Sequence, residues 1–300
     1  MNKSEPAATA GGLGALLLWS TTIAVIRSLS ERVGPIGAAA WVYSLGGLLC
    51  LARYAWSSDG WRQLKTLPRK YLFGCGGLFI SYSVLLYLAV GLARDREQAL
   101  EIGLVNYLWP ASTLLLSVVL LKKRATSLLI PGTILATGGV VLVMTQGGGV
   151  SWLSFTSHFR ANPVAYLLAL AAAIDWALYS NLTRLWSPPG GASAVGLFIA
   201  VSGLVLQVMN WHATASPSWT LSAVGEVVFM GSVTALAYGL WEVAMRKGNL
   251  LLVAACSYLT PFMSTLISCA YLKVTPGPRL WAGCAMIVVG SITSWRSVSD

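Results

Sequence analysis

"EIGLVNYLWPASTLLLSVVLL", residues 101–121, is long enough to cross a bilayer, yet it holds Glu101, Asn106, Tyr107 and a Trp109–Pro110 pair. At about 1.5 Å rise per residue, roughly 20 apolar residues cover the hydrocarbon core. A plain anchor has no use for a carboxylate, an amide and a helix-bending proline in oil, where unsatisfied polar groups are costly. The segment therefore reads as a membrane helix with a further task.

The rest of the chain supports that setting. Of its 300 residues, 56% are hydrophobic and 10% charged, with a mean hydropathy of +0.70. A soluble domain has about a quarter of its residues charged, so here too little charge is present to solvate a globular surface. Apolar blocks between charged or Gly/Pro-rich breaks predict an all-α integral membrane protein of ten transmembrane helices. They fall near 10–27, 35–56, 70–92, 98–121, 128–145, 163–184, 191–211, 219–244, 249–272 and 279–295. The run from Leu13 to Ile26 resembles a signal peptide, but Glu5 precedes it, Arg27 follows it, and no small-x-small cleavage site comes after. It reads as a retained first span.

The net charge of +10 sets topology; it does not make a nucleic-acid surface, because no Lys/Arg cluster forms a groove-sized face. With the N-terminus in the cytoplasm, 13 basic residues fall inside and 7 outside, led by Arg62, Lys65, Arg69, Lys70, Lys122, Lys123 and Arg124. Both termini are expected in the cytoplasm. The cysteines (Cys50, Cys75, Cys256, Cys269, Cys284) lie in apolar stretches without C-x-x-C spacing and read as small buried hydrophobes. No metal or cofactor is expected.

The opening segment has a twin. "NYLWPASTLLLSVVLLK" (106–122) matches "SYLTPFMSTLISCAYLK" (257–273), placing Tyr107 on Tyr258, Pro110 on Pro261 and Lys122 on Lys273. The same offset carries Tyr87 onto Tyr238, Gly132 onto Gly283 and Gly139 onto Gly290, and a slightly larger one carries Trp19 onto Trp176. Two five-helix repeats follow, residues 1–148 and 149–300. An odd number of spans inverts the second copy in the membrane, an architecture common among secondary transporters. Pro110 and Pro261 then place helix bends at matching mid-span positions.

Intramembrane acids mark cavities or partners. Asp175 is the deepest; Glu101 lies one turn inside its helix; Glu242 has Arg246 four residues on; Glu226 lies toward an outer end. Asp175 and Glu101 are the candidates for ion coupling. Most tryptophans fall at span ends, as an interfacial belt requires. Trp19, Trp109 and Trp176 lie mid-span instead, and Trp176 shares a helical face with Tyr179 and Thr183. With Tyr82, Asn106, Asp175, Tyr238 and Tyr258 they make the candidate substrate site, a roomy aromatic cavity with uncharged polar groups. Its lack of mid-span Lys or Arg disfavours phosphate. Helix–helix packing uses the same residue types. Motifs of zinc proteases, serine hydrolases and P-loops are absent, and the histidines (His158, His212) fall in predicted loops, so no enzyme is expected.

With ten spans in two inverted halves, the chain resembles the drug/metabolite transporter superfamily of EamA-type exporters. "EIGLVNYLWP" resembles the corresponding stretch of the YddG-type aromatic amino-acid exporters of bacterial inner membranes, with weaker support from "DWALYSNLTR" (175–184). The resemblance implies export of aromatic amino acids and related compounds by alternating access. It also implies a cavity walled by the first, third, fourth, sixth, eighth and ninth helices, where the residues above fall. Two alternatives stand beside it: an exporter of another small metabolite or cationic drug, and a non-transporting membrane scaffold or sensor.

Overall fold

The computed structural model describes residues 4–56, 60–145, 152–188, 193–211, 218–272 and 277–299. Lys3, His212, Lys273 and the expected repeat boundary at 148/149 lie outside these residues. Among the described residues, ten helical passages run back and forth. The first two are α1 (Ser4–Val33) and α2 (Pro35–Trp56). After a short α3 (Gly60–Lys65), a π-helical stretch (Lys70–Cys75) runs directly into α4 (Gly76–Gly91). The fourth passage is split into α5 (Arg96–Asn106) and α6 (Trp109–Leu120), and α7 (Leu129–Met144) completes the first half. A short α8 (Trp152–Ala161) precedes α9 (Pro163–Trp186), α10 (Val195–Trp211) and α11 (Leu221–Lys247). The ninth passage is split into α12 (Leu250–Cys256) and α13 (Leu259–Leu272), and α14 (Pro278–Arg296) ends the fold.

By length and composition, five of these passages could each cross a membrane, and α7 and α10 are shorter apolar helices. The first helix runs longer than its apolar block at both ends. Glu5 in its first turn and Arg32 in its last suit the helix dipole and extend it past the apolar core.

The two splits have a shared cause. Pro110 and Pro261 fall in the first turn of α6 and α13, immediately after the interruptions. Proline has no N–H for the carbonyl four residues back, and its ring clashes with the preceding turn. Asn106 is that residue for Pro110, so its carbonyl loses its helical donor at the middle of the passage.

The packing repeats with pseudo-twofold logic. The helix α1 packs most extensively on α11, and α9, its repeat mate, packs on α4, the mate of α11. The remaining mates pack on each other, α2 on α10 and α7 on α14. Between α7 and α14 the glycines cross-pair. A β-carbon on Gly139 would lie 2.7 Å from the Gly283 carbonyl, and one on Gly290 would lie 2.7 Å from that of Gly132. Small residues let membrane helices approach to backbone contact. Gly139→Leu is therefore expected to force the pair apart and cost about 1–3 kcal/mol or more, the range for overpacking. Thermal unfolding in detergent reads this as a lowered midpoint.

Both ends of the described chain lie on one face, here called the terminal face. Arg124–Ala125 pairs antiparallel with Val298–Ser299, and the Thr126 N–H donates to the Ser297 carbonyl at 2.8 Å. Near the other end, Thr9 Oγ1 accepts from the Asn249 N–H at 2.9 Å. Glu5, Lys123, Arg184, Trp295 and Val298 share one small pocket there.

Candidate functional site

The helix α9 starts at Pro163, whose missing N–H costs nothing in a first turn. It then carries Trp176, Tyr179 and Thr183 down a single buried face. That face meets α4 through Phe79 and Tyr82, α6 through Trp109, α1 through Trp19, and α11 through Tyr238 and Trp241. Trp176 is the hub. Its ring centroid lies 4.8 Å from Tyr82, 5.2 Å from Tyr179, 5.6 Å from Tyr238, 5.7 Å from Trp241 and 5.8 Å from Trp19. Trp109 and Phe79 stand slightly further off, each at 6.2 Å. Most of these contacts are tilted or edge-to-face, the arrangements that the ring quadrupole favours.

Six of the residues singled out in the sequence thus meet in one cluster: Trp19, Tyr82, Trp109, Trp176, Tyr179 and Tyr238. Asn106 joins at the edge, its side chain close to the Tyr82 hydroxyl. Its Oδ1 is buried with no hydrogen-bond partner among the described residues. Tyr258 is placed elsewhere: it is fully buried, and its hydroxyl neighbours are Thr133 and Thr137 of α7. Asp175, one position before the hub, is half-buried and lies near Ser81 of α4.

The sequence reading missed three rings. Trp241 is wholly buried, 5.4 Å from both Trp19 and Trp109, and its Nε1–H donates to Ser180 Oγ at 3.4 Å. Phe79 packs 4.9 Å from Tyr238, and Tyr43 shares a 2.6 Å hydroxyl contact with the same tyrosine. Spacing was the available signal: Trp241 follows Tyr238 by three residues, and Phe79 precedes Tyr82 by three. These extra rings extend the aromatic wall that the sequence reading expects. Cavities of about 140 Å³ and 520 Å³ lie on the terminal face and on the outer flank of α2 and α11.

The acids sort by partner. Glu101 is fully buried at the far end of the bundle, where it accepts from the Tyr166 hydroxyl and lies 3.2 Å from both His158 Nδ1 and Ser154 Oγ. Glu226 accepts from Ser28 at 2.8 Å and lies 3.7 Å from Arg32. Glu242 pairs with Arg246 at 3.4 Å, as the i, i+4 spacing expects. No group of three or more metal-ligating side chains occurs among the described residues.

One paired contact is open to a direct test. Tyr238→Phe removes half of the Tyr43–Tyr238 contact and is expected to cost about 1–3 kcal/mol, the penalty for stranding a buried hydroxyl. Adding Tyr43→Phe should recover part of that loss, so a double-mutant cycle on thermal unfolding should show coupling.

Two pseudo-symmetric helical halves, each with a proline-split helix, close around an aromatic centre: this is the build of a multi-pass membrane carrier. The chain belongs to the EamA-like transporter family, whose sequence model matches residues 8–145 and 163–296, one stretch in each half. It is 33% identical to the aromatic amino acid exporter YddG of Salmonella typhimurium (strain 14028s / SGSC 2262) over 96% of each chain. The corresponding figures are 32% and 96% for the YddG exporter of Escherichia coli (strain K12), and 30% and 96% for that of Ancylobacter novellus. A solved crystal structure superposes with a TM-score of 0.78 at 27% identity, covering 96% of this chain and 97% of that one. The protein is therefore a multi-pass inner-membrane transporter for a small molecule.

Proposed function

We propose that the protein exports aromatic amino acids and related aromatic compounds across the bacterial inner membrane by alternating access, with both termini in the cytoplasm. The observation that carries this reading is the ring cluster around Trp176, which joins helices of both halves near the middle of their spans. Relatives named as aromatic amino acid exporters support it over the same length of chain. Rings that pack edge-on against each other can exchange one neighbour for a substrate ring at little cost.

The zwitterion has a place at the split of the fourth passage. The Asn106 carbonyl and Oδ1 would accept from the ammonium group. The N-terminus of α6, at Trp109, would face the carboxylate with the positive end of a helix dipole. Trp19, Trp109, Trp176, Tyr179 and Tyr238 would enclose the side chain, with Tyr82 positioning Asn106. The bends at Pro110 and Pro261 would let the outer and inner half-helices tilt independently. Tyr258 would act from outside the ring cluster, by packing beside α7. Asp175 remains the candidate for ion coupling, because it is half-buried beside the hub. The tight set of partners around Glu101 favours a structural role over proton relay.

Uptake of radiolabelled phenylalanine or tryptophan into proteoliposomes of the purified protein tests this. Flux above that of empty liposomes is expected. If flux follows a pH gradient and Asp175→Asn abolishes that dependence while leaving facilitated flux, Asp175 is the coupling group. No flux of any aromatic amino acid, with the protein folded, would overturn the substrate assignment.

A further inference from the structure

Two groups of helices meet across the aromatic cluster: α4, α5, α6 and α9 on one side, and α1, α11, α12 and α13 on the other. The polar bonds described at the far end each stay within one group. Glu226 joins α11 to α1, and Glu101 joins α5 to α8 and α9. Toward the terminal face the bonds cross between the groups. Arg184 of α9 donates to the Gly248 carbonyl at 2.6 Å and to that of Met245 at 3.2 Å, at the end of α11. Arg246 of α11 donates to the Pro188 carbonyl, just past α9, at 3.2 Å.

At the centre of these crossings is Glu242, which is wholly buried. It accepts a hydrogen bond from the Tyr71 hydroxyl, in the π-helical stretch before α4, and another from Ser193 Oγ at 2.9 Å. Tyr71 in turn accepts from the Ala194 N–H at 3.0 Å, so the ring is held from two sides. A buried carboxylate is stable only with its charge and lone pairs satisfied, and here three elements supply the donors. Tyr71, Cys75 and Phe79 follow at four-residue spacing, so one helical face leads from this clamp to the aromatic cluster. Cys75, between them, is also wholly buried.

We propose that the Glu242–Tyr71–Ser193 clamp is the gate on the terminal face, and that the path from that face to the aromatic site opens when Tyr71 leaves Glu242. The inference rests on the transport reading. It assigns a function to a buried acid that neither substrate stacking nor the far-side bonds require. The π-helical stretch fits the role, since such segments loosen local backbone register and recur at functional sites.

Cys75 is a native reporter of this gate, and its labelling needs no substrate, so a failed transport assay and a failed gate remain distinguishable. In a background with Cys50, Cys256, Cys269 and Cys284 changed to alanine, membrane-impermeant maleimide is applied to vesicles of each orientation. Tyr71→Phe and Glu242→Gln are each expected to raise Cys75 labelling from the terminal face by about tenfold, the population change from losing one charge-assisted hydrogen bond. Ala89→Cys in a Cys75→Ala background is the control for general loosening, because Ala89 is buried in a separate packing cluster at the other end of α4. The proposal holds if Cys75 becomes reactive while the control stays silent. It is overturned if Cys75 stays as unreactive as before in both variants, or if the control labels equally.

Discussion

Replacing Trp109 and Trp176 together by alanine is expected to abolish transport of aromatic amino acids. Trp176 touches rings from α1, α4, α6 and α11, so its loss removes the wall shared by both halves. Each favourable ring pair is worth about 0.5–1.5 kcal/mol beyond area burial, and a large buried ring cut to alanine costs about 3–5 kcal/mol. Part of that cost falls on folding. Trp176→Phe, which keeps a ring and most of the volume, separates the two effects. It should fold nearly normally and raise the KM for tryptophan about tenfold. Proteoliposome uptake checks both variants, and full activity in the folded double variant would remove the cluster from the substrate path.

The second large effect concerns Glu101. Glu101→Ala is expected to destabilise the protein by about 3 kcal/mol or more, because Tyr166, His158 and Ser154 all lose a buried acceptor. Glu101→Gln keeps an acceptor for Tyr166 and should retain more than half of that stability. Thermal unfolding of the purified variants reads the difference. If Glu101→Ala unfolds normally but loses pH-dependent flux, the residue belongs to coupling and its buried partners are incidental.

These expectations separate residues that the sequence treated alike. Glu101 and Asp175 were both acids inside apolar blocks; depth along the span put Asp175 first, but linear spacing could not show what surrounds either one. Their surroundings differ: Glu101 is fully buried and meets α8 and α9, whereas Asp175 is half-buried near Ser81 of α4. Tyr258 matches Tyr107 by repeat position, yet it turns toward α7. A repeat places backbones in equivalent positions; it does not make the side chains around them equivalent.

The sequence by itself determined the membrane setting, the helical class, the ten passages, the twinned prolines and most of the aromatic centre. These follow from local quantities: block length against bilayer thickness, charge count, and a repeat visible at constant offset. Helical spacing also linked Trp176 to Tyr179, and Glu242 to Arg246, because both pairs lie on one helix. The family resemblance implied which helices wall the centre; tertiary structure alone decided which side chains meet there. It added Trp241, Phe79 and Tyr43 to the rings, removed Tyr258, and joined Glu242 to Tyr71 and Ser193 from elements far away in the chain. Such contacts depend on how each helix is rotated about its own axis. That rotation is set by close backbone approaches such as Gly139 against Gly283, summed over the whole bundle.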